Sequence, residues 1–250
     1  MATALQQTNR VGQNSLVERW FFTFMALSMI ALCISAFLPS LLDTSRRRAP
    51  LSSLAMVHGV VFSAWLILFL TQSLFIATRR VATHRALGTL GGFLIALMIP
   101  LAYATTIEMI RRGFDLSGDL MIEHDARPES IFAFNDMLVF GVLAIAALAY
   151  RRRAGIHKRL MLFANIVLMP APLAHLIGHT PWLAAMPPAI VMIPISMFVV
   201  AAIGRDFLTE RRVHPLTWAL AVVQLISGPL EAGPLGSSVI WQRFASWLAQ

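Results

Sequence analysis

The chain has 250 residues, of which 58% are hydrophobic and only 13% charged, so its composition lies far outside that of ordinary soluble domains. Its formal charge of +8 comes from Arg and Lys residues that stand in short clusters between apolar runs, as membrane-flanking anchors do. That placement argues against nucleic acid as a partner and for the lipid bilayer. The single cysteine, Cys33, has no second cysteine for an internal disulfide.

Seven apolar stretches follow in chain order, each near the ~20 residues that a helix needs to cross a bilayer. They predict an all-α, polytopic transmembrane bundle with spans at 20–42, 51–78, 86–110, 131–150, 160–179, 182–203 and 216–230. Prolines inside the fifth and sixth stretches predict kinks or local openings, because proline removes a backbone donor. The seventh stretch is short, and a position flat on the membrane surface is the alternative for it.

The flanking segments complete the predicted organisation. Residues 1–19 are expected to form a cytoplasmic segment, 20–230 the bundle and 231–250 an amphipathic tail. The tail suits an interfacial helix, or a helix that docks on a partner membrane protein, because its apolar residues share one face: Ile240, Trp241, Phe244, Trp247 and Leu248. With a cytoplasmic N-terminus, thirteen of the 20 basic residues fall on the inner side, which favours that orientation in a bacterial inner membrane.

Two loops carry the same short pattern. After the second and after the fourth span, an Arg pair is followed four residues later by a histidine, His84 or His157. Each histidine is followed by a basic residue, and a leucine stands three residues after it, which suggests a duplicated helical hairpin. If the two copies pack symmetrically, His84 and His157 face each other as axial ligands of a haem iron. Contacts with head groups or loop carbonyls are the alternative.

Polar side chains from four spans gather near one end of the predicted bundle, on the outer side. Ionisable groups inside a membrane are costly, so each is a candidate functional residue. The spans contribute His58, Glu108, Asn135, Asp136, His175 and His179, and the loop between the third and fourth spans adds Glu123, His124 and Asp125.

His175 and His179 are spaced i,i+4, which puts both imidazoles on one helix face, where they can share a metal ion. His58 and a carboxylate, Asp136 or Glu108, would complete a site for zinc, iron or copper. Asp136 and Glu108 are also the candidate catalytic groups, as bases that activate a metal-bound water. The alternative is a pair of interfacial histidines bonded to loop carbonyls.

The second span carries a polar stripe that is expected to face the bundle interior. His58, Trp65 and Gln72 are spaced seven apart and therefore share one face. The stripe would line a haem or quinone pocket, with Trp65 stacked on the cofactor ring. Alternatively, Gln72 forms a hydrogen bond across helices.

Two motifs carry a resemblance to known families. Residues 84–88 read His-Arg-x-Leu-Gly and residues 157–161 read His-Lys-Arg-Leu-Met, which resembles a family of uncharacterised bacterial multi-span membrane proteins over about residues 54–175. His58, His84 and the Arg pair at 79–80 more loosely resemble cytochrome b561-type proteins, in which histidines of four successive helices bind two b haems that move electrons across the membrane. Asp136 stands where that family has an outer histidine, so an outer haem would pair His58 with His175 or His179.

Two functional hypotheses follow. The first is a redox or electron-transfer protein that depends on a transition metal or on haem b, with its site near the outer leaflet. The second is a non-catalytic accessory subunit of a larger membrane complex, or a small proton-coupled transporter, in line with the absence of a nucleotide-binding motif and of a cysteine pair. Bound metal and visible colour in the purified protein discriminate between them.

Overall fold

The computed structural model describes residues 2–120, 125–186 and 188–250. Within these ranges the chain forms helices and turns and no β-strand, which confirms the all-α prediction. Two 3₁₀ turns, Thr44–Arg46 and Pro188–Val191, and a π-helical segment, Glu231–Leu235, join the α-helices. The α-helices are α1 Ala2–Leu42, α2 Ser53–Ala77, α3 Val81–Arg112, α4 Arg127–Ala149, α5 Ala154–Val167, α6 Pro170–Gly178, α7 Pro181–Ala184, α8 Met192–Glu210, α9 Pro215–Leu230 and α10 Val239–Leu248.

Six helical segments of the described chain are long and apolar enough to cross a membrane. Their outward surfaces carry large apolar side chains such as Val60, Phe93 and Met197, which are 65–70% exposed, as expected of helices that face hydrocarbon. The protein is therefore a multi-pass membrane protein. The segments are Glu18–Leu42, Ser53–Ala77, Val81–Arg112, Arg127–Ala149, Ala154–Gly178 and Met192–Glu210.

The shorter apolar helix α9 runs from one end of the bundle to the other. At its start, Thr217 Oγ1 and the backbone N–H of His214 donate to Asp206 near the end of α8. Just beyond its last residue, Glu231 accepts a 2.6 Å hydrogen bond from Asn135 Nδ2. Asp206 meets the start of α5 whereas Asn135 lies near the start of α4, so these contacts stand at opposite ends. The bundle thus has the predicted architecture of about seven spans.

The two ends of the bundle differ in charge, and they are named accordingly. The basic end holds the turns between α2 and α3 and between α4 and α5, which carry Arg79, Arg80 and three arginines at 151–153. The opposite, acidic end holds the segment between α3 and α4. Carboxylates at the acidic end include Asp43, Asp115, Asp119, Asp125, Glu129 and Glu231.

A buried ion network closes the basic end. Arg159, in the first turns of α5, is 4% exposed and binds Asp206 through two nitrogens at 2.7 and 3.0 Å. It also contacts Glu210, while Arg205 bonds to Asp206 and to Glu18 of α1. The network ties α1, α5 and α8 together, so the Arg of the His-Lys-Arg-Leu-Met motif packs inside the protein.

Helices α5 and α6 form the centre of the bundle. In the span Ala154–Gly178, 61% of the most apolar 18-residue stretch is buried, against 28–39% for the corresponding stretches of the other five spans. Leu168 and Met169 interrupt the span, and Pro170 opens α6 at a position where its missing N–H is not needed. The predicted break in the fifth span is thereby confirmed, and α6 ends at the acidic end of the bundle.

The sixth span begins and ends later than the sequence indicates. The predicted segment 182–203 contains the short helix α7, then the 3₁₀ turn Pro188–Val191, and the crossing helix α8 starts only at Met192. The prolines explain the shift, since Pro181 starts α7 and Pro194 fits only in the first turn of α8. Pro187, in the same stretch, lies outside the described residues.

Candidate metal centre

Three side chains at the acidic end converge on one point. Asp119 lies in the segment between α3 and α4, His175 in the last turn of α6, and His179 directly after that helix. One ligand atom from each lies within 4.8 Å of the others. His175 Nδ1 is 2.7 Å from Asp119 Oδ1, and His179 Nε2 is 3.1 Å from Asp119 Oδ2. This cluster is the candidate metal centre.

The end of α6 sets the geometry of the histidine pair. The backbone N–H of His179 donates to the carbonyl of His175 at 3.0 Å, so both residues belong to one continuous helical turn. Their rings lie on the same face with centroids 6.4 Å apart and planes inclined by 33°. The ring of Phe37, from α1, packs against His175 at 4.7 Å between centroids. The end of α6 thus presents two imidazoles side by side.

A tight loop positions the carboxylate. The side chain of Asp115 accepts hydrogen bonds from the backbone N–H groups of Gly118, Asp119 and Leu120 at 2.7–3.2 Å. Gly118 has φ of +75°, a conformation that favours glycine, and its carbonyl accepts from the N–H of Arg48. Asp119 is therefore fixed by its loop before any ligand is bound.

Asp119 is buried but ionised. Burial alone would raise the pKa of Asp119, but contacts with His175 and with the hydroxyls of Ser40 and Ser117 outweigh it and hold the pKa well below its usual range. The side chain of Asp119 has no exposed surface, and those of His175 and His179 are 9% and 10% exposed. Asp119 thus holds a negative charge in a nearly closed setting.

The residues present fit a metal ion. His175 Nδ1 forms no hydrogen bond, although it is buried and lies 2.7 Å from Asp119 Oδ1. Leaving a buried polar atom unpaired costs about 1–3 kcal/mol. Two imidazoles and one carboxylate are the ligands of many zinc sites and of the iron sites with two histidines and one carboxylate. An ion at this position would satisfy the free lone pair of His175.

Two of the predicted site residues stand apart from the cluster. The ring of His58 stacks on Phe62 with centroids 4.0 Å apart, and its Nδ1 lies 3.5 Å from Thr105 Oγ1. Glu108 forms a 3.0 Å ion pair with Arg112, one turn further along α3. Neither residue belongs to the metal-compatible group found among the described residues.

The polar residues of α4 form a second, separate group. Asn135 donates to Glu231, and Asp136 lies close enough to Glu231 for the two carboxyl groups to interact electrostatically. In the loop before α4, Asp125 pairs with Arg127 at 2.7 Å. Glu123 and His124, also named from the sequence, lie outside the described residues.

Two residues of the polar stripe on α2 differ in their side-chain contacts: Trp65 forms a hydrogen bond to a neighbouring helix, and the side chain of Gln72 does not. Trp65 is 3% exposed, donates to Asn165 Oδ1 at 3.0 Å and meets Phe140 edge-on. This bond links α2 to α5, which supports a packing role for Trp65. Both amide atoms of Gln72 are buried without a hydrogen-bond partner.

His84 and His157 do come together at the basic end. Their ring centroids are 6.3 Å apart with planes at 77°, as expected if the two hairpins pack in equivalent ways. His157 Nδ1 lies 2.8 Å from the carbonyl oxygen of Ala147, whereas His84 Nδ1 is unpaired. A haem between these two rings stays a prediction.

Sequence reasoning missed the carboxylate of the site. Asp119 lies in the segment Asp115-Leu-Ser-Gly-Asp119, which has the composition of a polar turn and attracts no attention by itself. The available signal was a glycine between two aspartates in a short loop beside the end of the His175–His179 helix. Ser40 and Ser117 carry no sequence signal of this kind.

A scan against protein-family models, a search of curated proteins and a search of solved structures each found no match. The two family resemblances therefore stay predictions.

Proposed function

We propose that this protein is a metal-dependent membrane enzyme whose metal ion is held by Asp119, His175 and His179 at the acidic end of the bundle. The observation that carries the proposal is the convergence of three ligand atoms on one point, with the lone pair of His175 Nδ1 buried and unpaired. The site is built from the most buried span, so its geometry is fixed by the core of the protein.

Among metal ions, zinc fits these three protein ligands best, in the arrangement that catalytic zinc sites use. Three protein ligands, two of them histidines and one a carboxylate, leave one position of a tetrahedral ion for water, and zinc lowers the pKa of such a water to about 7. In this site Asp119 would supply the negative charge, while His175 and His179 would supply imidazole nitrogens from one helix face. The chemistry supported is hydrolysis by an activated water.

Iron is the second candidate, and it corresponds to the redox hypothesis. The same set of two histidines and one carboxylate is the ligand set of non-haem iron(II) sites that keep open positions for oxygen. The observation in its favour is the ligand set itself.

The site lies at the boundary between membrane and water. His175 stands three residues before the end of the span Ala154–Gly178, which places it ~5 Å from that end at 1.5 Å per residue. Since basic residues favour the cytoplasmic side, we propose that the basic end faces the cytoplasm of a bacterial inner membrane and the metal centre faces outward. Substrates would then reach the site from the outer side.

X-ray absorption at the zinc and iron edges of detergent-purified protein tests the proposal. We expect bound zinc with a first shell of two imidazole nitrogens and oxygen donors, and no sulfur. Asp119→Asn should bind the metal more weakly or not at all. Asp125→Asn, at the same end but paired with Arg127, should bind it as the wild type does. A protein with neither metal contradicts the proposal and favours the accessory subunit or proton-coupled transporter.

A further inference from the structure

The hydroxyl of Ser117 stands among three groups that can accept its proton. Ser117 Oγ lies 2.9 Å from Asp115 Oδ2, 2.8 Å from Asp119 Oδ1 and 3.5 Å from His175 Nε2. A serine hydroxyl has one proton to donate and can accept as well. It can therefore donate to only one of the two carboxylates at a time.

The side chain of Asp115 is held in place by its own loop. It is 2% exposed and takes three backbone N–H groups of its own loop, so it has no freedom to turn toward the histidines. Whichever carboxylate takes the Ser117 proton, the oxygen of Ser117 stays free to accept from His175 Nε2. That direction places the ring proton of His175 on Nε2 and its lone pair on Nδ1.

The unpaired atom of His175 agrees with this tautomer. With its proton on Nε2, His175 keeps a bare lone pair on Nδ1, 2.7 Å from Asp119 Oδ1, and two such acceptors repel each other unless a proton or a metal ion is bound between them. Ligand atoms that share one tetrahedral zinc at about 2.0–2.1 Å stand ~3.3 Å apart, so these two atoms would move apart by roughly half an ångström on binding zinc.

We infer that Asp115 and Ser117 are positioning residues of the proposed metal centre, which hold His175 with its proton on Nε2 and direct its Nδ1 to the metal. The inference rests on the proposed function. Ligating histidines are commonly oriented by an outer partner on the second ring nitrogen, and loss of such a partner costs about 10- to 100-fold in metal affinity. Neither Asp115 nor Ser117 binds the ion itself.

Zinc affinity of the full-length protein in detergent tests the inference, with Ser117→Ala as the main variant and Ser117→Thr as its matched control. We expect Ser117→Ala to bind zinc about 10- to 100-fold more weakly and Ser117→Thr, which keeps the hydroxyl, to restore most of the affinity. Asp115→Asn should weaken binding as well, but it also alters the loop, so Ser117 gives the cleaner comparison.

A second measurement reads the tautomer, which a purely structural role of Ser117 would not set. In the zinc-loaded protein with ¹⁵N-labelled histidine, NMR should show His175 protonated at Nε2 and coordinated at Nδ1. Coordination through Nε2, or equal zinc affinity of the wild type and Ser117→Ala, overturns the inference alone. A wild type that binds no zinc overturns both the inference and the proposed function, so the two failures are distinguishable.

Discussion

His175 Nδ1 and Asp119 Oδ1 face each other at 2.7 Å without a hydrogen bond between them. One atom comes from the central span of the bundle and the other from a loop that is fixed by its own aspartate, Asp115. Both positions are set by parts of the protein that do not depend on a ligand. Under the proposed function the pair is preorganised for a cation, and binding one would require little rearrangement of the backbone.

The buried pair between Arg159 and Asp206 should matter strongly for stability. We expect Arg159→Met to lower the free energy of unfolding by up to about 3–5 kcal/mol, because it breaks a buried two-point ion pair and leaves Asp206 with Arg205 as its remaining basic partner among the described residues. The neighbouring Lys158 pairs with Glu18 at the surface, so Lys158→Met should cost at most about 1 kcal/mol. Thermal unfolding of both variants in detergent checks the prediction, and equal effects would argue against a structural role for the network.

Asp119 should give the metal-free protein a defined pH dependence. Its pKa is lower in the folded than in the unfolded chain, so its ionised form stabilises the fold above about pH 4, the ordinary value for aspartate. This stabilisation is lost as the pH falls toward the folded-state pKa. In the presence of a chelator, Asp119→Asn should be less stable than the wild type at neutral pH, and the two should converge below about pH 4. A difference that does not change with pH would contradict the ionised state of Asp119.

Asp136 should tolerate an amide. It lies near Glu231, and neither residue forms an ion pair with a basic side chain in the part of the chain that the structure describes. Asparagine keeps the size of the aspartate side chain and removes a carboxyl group that has no basic partner, so Asp136→Asn should leave the unfolding temperature unchanged or raise it. The same variant should retain the metal. Loss of metal would restore Asp136 as a ligand, as the sequence had indicated.

The pairing of His84 with His157 at the basic end leads to a spectroscopic prediction. If zinc is the resident metal, the purified protein is colourless and shows no Soret band. If a b-type haem lies between His84 and His157, a Soret band is present and disappears in His84→Ala, while His58→Ala leaves it unchanged. The absorption spectrum thus separates the metal hypothesis from the haem hypothesis without an activity assay.

Hydropathy was sufficient to predict the fold because a membrane span is a local property of some 20 residues. The same holds for the pairing of His175 with His179, which follows from helical spacing alone. Prolines account for the late start of the sixth span, at Pro181 and Pro194, since one proline can start a helix or interrupt it depending on its position within a turn. The third and fifth spans begin earlier than predicted, at Val81 and Ala154, without a proline at either start.

The third ligand could not be predicted from spacing. Asp119 reaches the histidines because its loop folds over the end of α6, and that contact depends on tertiary packing between segments about 60 residues apart. The prediction placed His58 and Asp136 in the site because both lie near the same end of their spans. Depth alone does not determine which face of a helix points to the site, and His58 instead stacks on Phe62.

The most direct test of the metal centre compares two histidine variants by metal analysis after purification and reconstitution with zinc. His58→Ala removes a histidine at the same end of the bundle but outside the cluster, whereas His175→Ala removes the unpaired ligand. We predict about one zinc per chain in the wild type and in His58→Ala, and almost none in His175→Ala, as expected for a site with three protein ligands. Zinc retained by His175→Ala, or lost in His58→Ala, would contradict the assignment of the site to Asp119, His175 and His179.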